Sequence, residues 1–161
     1  MSTGCTILPT KIRRPQTAAD ALVRPRAVRV LEGACARPLT CVVAPAGFGK
    51  TTAVAQWAAA CDKAVAWCSL DEDDADPLRF WAMVVAALEE ANPALDIPLS
   101  VRDVNWADAG EAHDALARLI QAVGAGDPDR VLVLEDVHAV QDAPLISDAL
   151  AYLLRNLPAT F

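Results

Sequence analysis

Cysteine occurs at five positions, Cys5, Cys35, Cys41, Cys61 and Cys68, an odd number with no C-x-x-C pair among them. That spacing argues against a disulfide framework and against a zinc site, and predicts buried thiols in a reducing cytoplasm. No apolar run approaches the length of a membrane span. The longest, "FWAMVVAAL" (80–88), follows Arg79. The first residues, "MSTGCTILPTK", lack the basic n-region and apolar core of a secretory signal. There is no internal repeat. Aromatic residues make up 5% of the chain, and none interleave with the basic residues near the N-terminus. That cluster (Lys11, Arg13, Arg14, Arg24, Arg26 and Arg29) therefore reads as solvated charge plus part of a ligand pocket rather than as a nucleic-acid arm. The whole chain carries a formal charge of −7, which disfavours acidic membranes and nucleic acid as partners.

What is present is apolar residue, 54% of 161 positions, enough for one domain with a core. Residues 1–20 read as an extended lead-in. Pro25 sets the first turn of a short helix over 26–36. "PLTCVVA" (38–44), "AVAWCSL" (64–70) and "RVLVLEDVH" (130–138) read as three buried strands. Between them, helices are predicted over 50–61, with Val54, Trp57, Ala58 and Cys61 on one face, and from Asp76-Pro77 to about Ala91. Asp108 and Glu111 resemble a capping box opening a further helix, and a last one spans roughly 144–157. Residues 92–107 and "GAGDPD" (124–129) read as breaks. Strands alternating with helices predict an α/β fold with a parallel sheet covered on both faces.

"APAGFGKTT" (44–52) joins the first predicted strand to the next helix. It matches G-x-x-x-x-G-K-[ST] except for Ala44 in the first Gly position. Gly47 and Gly49 permit the backbone angles that turn several N–H groups inward around an anion. The helix N-terminus adds roughly half a positive charge. A Lys in a first helical turn opposes that dipole unless an anion is expected there. In this reading the backbone of Ala46, Gly47, Phe48 and Gly49 cradles phosphates, and Lys50 reaches the β- and γ-phosphates. Thr51 binds Mg²⁺, and Thr52 lies near the α-phosphate. The bland alternative is an ordinary strand–turn–helix with Lys50 at an exposed helix start.

The second half of the constellation is an acid at the tip of another strand, where doubly wound sheets place their sites. Glu135 and Asp136 follow "VLVL" and supply it, as Mg²⁺ ligands and catalytic or water-positioning acids. "DEDDAD" (71–76) lacks the Gly and distal Glu of a calcium loop, and reads as a solvated acidic loop ending in an Asp76 cap.

With these pieces in view the chain resembles the nucleotide-binding domain of the STAND-class P-loop ATPases found in large LuxR-type (MalT-like) transcription regulators. The matching pieces are "TKIRRP" (10–15), "LVRPR" (22–26), "LTCVVAPAGFGKTT" (39–52), "AWCSLDEDDADPLRFW" (66–81), "VLVLEDVHAV" (131–140) and "ALAYLLRNLP" (149–158). The resemblance implies a P-loop NTPase-type three-layer sandwich with a mostly parallel sheet, here truncated to three recognisable strands. It implies ATP/ADP and Mg²⁺ as cofactors and a nucleotide-driven switch in a signal-responsive regulator. It places Val23 and Arg24 near the adenine, and makes Ala44 ordinary. His138 matches a family position and is expected to be a hydrogen-bonded structural residue.

Two departures from the family carry expectations. Glu135 stands where the family usually has Asp, which predicts retained binding with slow hydrolysis, a weak ATPase at most. The chain ends where the family continues into a further strand, which in the related sheet order lies between the first and third. Residues 1–36 are thus expected to be a lead-in and helix near the adenine pocket, and 37–161 an incomplete P-loop domain with unpaired strand edges. Direct pairing of the first and third strands is the alternative. The expected partners are nucleotide and either another copy or the remainder of a larger regulator. With no helix-turn-helix present, direct DNA binding is not expected, nor is a membrane. The rival readings are a small P-loop kinase, weakened because Arg155 is the one Arg after the third strand, and a non-catalytic interaction fragment.

Overall fold

The computed structural model describes residues 6–18, 21–34, 37–125 and 130–157. Among the described residues there are five α-helices, α1 (Pro25–Ala34), α2 (Lys50–Ala60), α3 (Pro77–Ala91), α4 (Ala109–Ala125) and α5 (Pro144–Asn156), and two strands, β1 (Ala64–Ser69) and β2 (Arg130–Glu135). The strands are parallel, with Ala64 opposite Arg130 and Ser69 opposite Glu135. The fold is α/β with a two-stranded sheet among the described residues.

Side chains alternate across a strand, so each face of the pair meets a different layer. Ala66, Cys68 and Leu70 enter the main core, with Leu132 and Leu134 of β2 packed beside them. There they meet α3, whose Phe80, Trp81 and Val84 are fully buried. Trp81 stacks on Trp106 at 5.6 Å and meets the edge of Phe80 at 5.1 Å. Helices α4 and α5 close this side, with His113 stacked on Tyr152 at 4.1 Å. The alternate residues Trp67 and Ser69 lie on the opposite face, toward α2.

Caps set the helix boundaries. The Asp76 carboxylate accepts from Arg79 N at 3.0 Å, and Pro77 occupies the first turn of α3. Asp108 accepts from Glu111 N at 3.0 Å, but Glu111 returns its bond to Asn105 N rather than to Asp108. The predicted capping box is therefore half present. The break expected from 124 begins later, since α4 runs through Ala125, and 126–129 fall outside the described residues. On α2 the buried residues are Ala53, Ala55 and Trp57, whereas Val54, Ala58 and Cys61 are half-buried. The lead-in explains the difference, because Arg14 donates to Ala55 O at 3.2 Å and Gln56 donates to Leu22 O at 3.2 Å along that helix.

Three further expectations are corrected. Residues 38–44 form no strand and pair with neither β1 nor β2. Val43 is 89% exposed, and Leu39 and Val42 are also exposed. An apolar run becomes a strand only where a neighbour accepts its backbone hydrogen bonds, and a groove separates this run from β2. Second, the acidic stretch is not wholly solvated. Asp71 caps the turn Glu72–Ala75 in a reciprocal capping box, and Asp74 is buried. Asp74 is held by the Lys11 ammonium, which also lies 2.8 Å from Asp71. Burial by itself would lower the Lys11 pKa, but the hydrogen bonds to Asp71 and Asp74 outweigh it and raise the value. The Lys11 hydrogen bond in turn holds the Asp71 carboxyl below its ordinary value. Third, of the cysteines within the described residues, Cys41 is exposed, Cys61 half-buried and Cys68 buried.

Candidate functional site

The loop after the unpaired run turns on two glycines in the left-handed region, Gly47 at φ 80° and Gly49 at φ 72°. A Cβ at either position would be strained whatever the space around it. Gly49 leads directly into α2, whose first turn carries Lys50, Thr51 and Thr52, all half-buried. Ala46 and Phe48 are exposed, Phe48 by 60%. The Phe48 carbonyl accepts a 2.8 Å bond from Arg24 Nη1, and the Arg24 guanidinium lies over Gly49. Arg24 thus reaches the loop from the residue before α1, while Val23 beside it is 63% exposed.

The Lys50 ammonium donates to Ala44 O at 2.8 Å and Pro45 O at 3.2 Å. It folds onto its own loop rather than toward the acids. Thr51 does make the long-range contact: its hydroxyl donates to Glu135 Oε1, 84 residues away in sequence. The other carboxylate oxygen, Oε2, accepts from Ser69 Oγ at 3.0 Å and from Trp67 Nε1 at 3.3 Å. The indole N–H also lies 3.0 Å from Ser69 Oγ. Glu135 is therefore held from α2 on one side and from β1 on the other.

Asp136 diverges from Glu135. It is the one non-glycine residue with a positive φ, 55°, among those described. Its carboxylate is half exposed and lies 3.8 Å from His138 Nδ1, too far for a hydrogen bond. His138 sits in the following turn, Val137–Val140, with its side chain 75% exposed. The hydrogen-bonded strand-end histidine expected from the sequence is therefore not what the structure has. The left-handed residue ends β2 and turns Asp136 off the strand axis.

Lys50, Thr51, Glu135 and Asp136 line one end of a cavity of about 250 Å³. Its walls are β2, residues 37–40 with Val42, α2, Trp67 and the α1 residues Leu31 and Ala34. The arrangement fits an anion with a divalent cation. The loop is curled by two glycines, a cationic side chain stands at a helix N-terminus, and an ionisable carboxylate adjoins a hydroxyl. Among the described residues no cluster of three or more His, Cys, Asp or Glu is arranged to hold a metal without further ligands.

Trp67 and Ser69 are the site residues that reasoning from charge and loop chemistry missed. The signal was available in the parallel register. Ser69 lies opposite Glu135, and Trp67, two residues earlier, shares its face.

No family model matches the chain. Among curated proteins, it is similar to the HTH-type transcriptional regulator MalT of Cronobacter sakazakii, 32% identical over 152 residues. The matched region covers 94% of this chain and 16% of that protein. That likeness supports the family of LuxR-type, MalT-like transcription regulators to which the motifs point.

Proposed function

We propose that this chain is the nucleotide-binding module of a signal-responsive transcription regulator, with ATP or ADP and Mg²⁺ as its ligands. The observation that carries the reading is the Thr51–Glu135 contact. It joins the first turn after a glycine-curled loop to the acid at the tip of a parallel strand, the two parts that hold a metal–triphosphate in a P-loop protein. The N–H groups of Ala46 to Thr51 would surround the phosphates, Lys50 would exchange its loop carbonyls for phosphate oxygens, and Thr51 and Glu135 would adjoin the metal shell. Thr52 would lie near the α-phosphate. When bound, Mg²⁺ neutralises phosphate charge and orders the triphosphate. Asp136, half exposed beside the same cavity, would position water. Glu135 in place of Asp makes that step slow, so binding rather than turnover is the working property. Arg24 lies against the loop and is suited to report its occupancy to α1, with Val23 at the adenine end.

The finer fold follows from the same reading. The sheet is that of a P-loop sandwich, and the cavity between residues 37–42 and the open edge of β2 would take one further strand. Nucleotide-dependent association, with another copy or with the rest of a larger regulator, is then the output. Direct contact with DNA is not part of this module, whose net charge is −7, and the cytoplasm is its compartment.

Calorimetric titration of the purified chain with Mg-ATP and Mg-ADP tests the proposal. Saturable binding that falls at least tenfold in Lys50→Ala, with thermal stability kept, is the expected result. No binding, or binding indifferent to Lys50, overturns it. A small-molecule kinase would transfer phosphate to an acceptor, and an inert interaction fragment would bind neither nucleotide.

A further inference from the structure

We infer that Trp67 and Ser69 form a bracket that positions Glu135 for the metal, an inference that rests on the nucleotide reading above. Neither residue touches the cation or the phosphates in this scheme. They act through the carboxylate, and are positioning residues.

The bracket has a chemical logic. A Glu side chain has one more rotatable bond than Asp, so its carboxylate sweeps a larger volume and loses more entropy when fixed. Here both donors from β1 fall on a single oxygen. Ser69 Oγ donates to Oε2 at 3.0 Å, and Trp67 Nε1 reaches the same atom at 3.3 Å. Oε1 is left to Thr51 alone. The hydroxyl of Ser69 has one hydrogen, which goes to Glu135, and its lone pairs face the indole N–H at 3.0 Å. Every donor hydrogen in the chain is directed toward the carboxylate oxygen.

The supports are rigid. Trp67 is 1% exposed and is one of the residues that line the cavity. Ser69 is the Cα partner of Glu135 in the ladder, so the backbone holds the two side chains as neighbours on one face of the sheet. Neighbours that orient a metal-facing carboxylate affect metal affinity by about 10–100-fold when removed.

The test uses the intact chain, with ATP titrated in excess Mg²⁺ and again in EDTA. Ser69→Ala is the main variant, because Ser69 is half-buried at the end of β1 and its loss leaves no large void. The expected result is a fall of about tenfold in affinity for Mg-ATP, and a matching rise in the Mg²⁺ concentration needed for half-saturation at fixed ATP. Affinity for ATP in EDTA should stay within about twofold of the parent chain, and Ser69→Thr, which keeps the hydroxyl, should restore the Mg²⁺ dependence. In the absence of nucleotide, Glu135→Gln should shift the Trp67 indole N–H resonance. An unchanged Mg²⁺ dependence in Ser69→Ala overturns the bracket alone. So does an equal loss in Mg²⁺ and in EDTA, which marks a merely structural residue. Failure of the parent chain to bind ATP under either condition overturns the nucleotide reading and the bracket with it.

Discussion

Two apolar runs of equal length, both expected to be strands, have opposite fates in this chain. "LTCVV" (39–43) and "AWCSL" (66–70) each carry a cysteine in the third place, and the first is the richer in β-branched residues. Yet Val43 is 89% exposed, whereas Trp67 and Cys68 are almost wholly buried. The difference is supply of neighbours. The second run has β2 along its edge, α3 on one face and α2 toward the other. The first has a groove where a neighbouring strand would lie. Strand propensity reflects fit to a pleated, half-buried surface rather than an intrinsic backbone preference, and only one of these runs is given such a surface.

The largest effects should come from the side with neighbours. Trp81→Ala removes a fully buried ring that both Phe80 and Trp106 pack against. Urea denaturation should show a loss of about 4 kcal/mol, a large fraction of the total for a domain this size. A loss under about 1 kcal/mol would mean that the aromatic cluster is not the centre of the core.

The two cysteines sharpen the same contrast. Burial pushes the Cys68 thiol up to about 12, with the nearby Asp74 charge adding to it. Cys41 is exposed. Since the thiolate is the reactive form and Cys68 is also shielded from reagent, labelling at neutral pH should be far faster at Cys41 than at Cys68. Peptide mapping after a short pulse of maleimide would read it, and comparable labelling at the two positions would contradict the burial of β1.

A third effect, of about 3 kcal/mol, concerns how the lead-in is fastened. Lys11→Met removes the ammonium from a buried carboxylate, Asp74, at that cost. The pH dependence has two limbs. The raised Lys11 pKa means its contribution is complete below the ordinary value of 10.5 and is lost as pH rises through the higher folded value. The lowered Asp71 pKa means its contribution is present above 3.8 and is lost as pH falls through the lower folded value. Thermal melts of the parent chain should therefore plateau between these limits and fall on both sides. In Lys11→Met both limbs should flatten, and limbs that persist would assign them to other groups.

Much of this was legible in the residues. Asp76-Pro77 opens α3 because a carboxylate accepts the orphan N–H of the first turn while Pro needs none. The paired strands were visible as apolar runs, and the acid pair at the tip of β2 followed from where such runs end. What was not legible depended on contacts distant in sequence. Nothing local to "DEDDAD" says that Asp74 is buried, because its partner Lys11 is 63 residues away. The strand over 38–44 failed for the same reason, since a strand needs a neighbour and its sequence cannot report one. The half-buried face of α2 was misassigned because the segment carrying Arg14 and Leu22 covers a side that periodicity alone leaves open. The sequence separates Glu135 from Asp136 only by side-chain length and expected role, with Asp136 the water-positioning acid, and it is the left-handed φ of Asp136 that sets a strand-held carboxylate apart from one half exposed in the turn.

The smallest expected effect is the most direct test of the comparison. Val43→Ser replaces a branched apolar side chain in a run whose composition says core. If burial decides, the substitution should change stability by less than about 0.5 kcal/mol in urea. A valine packed in a core would cost about 1.5 kcal/mol or more, plus the burial of a hydroxyl. Amide hydrogen exchange gives a second reading on the same backbone. Residues 39–43 should exchange at nearly the rate of an unprotected chain, and the alternate amides of 64–70 that donate to β2, such as Leu70 N to Glu135 O, only on opening of the β1–β2 pair. Protection over 39–43, or a Val43→Ser cost near that of a core valine, would mean that the run is covered in solution. The groove beside β2 would then be filled, and the two runs would share one fate.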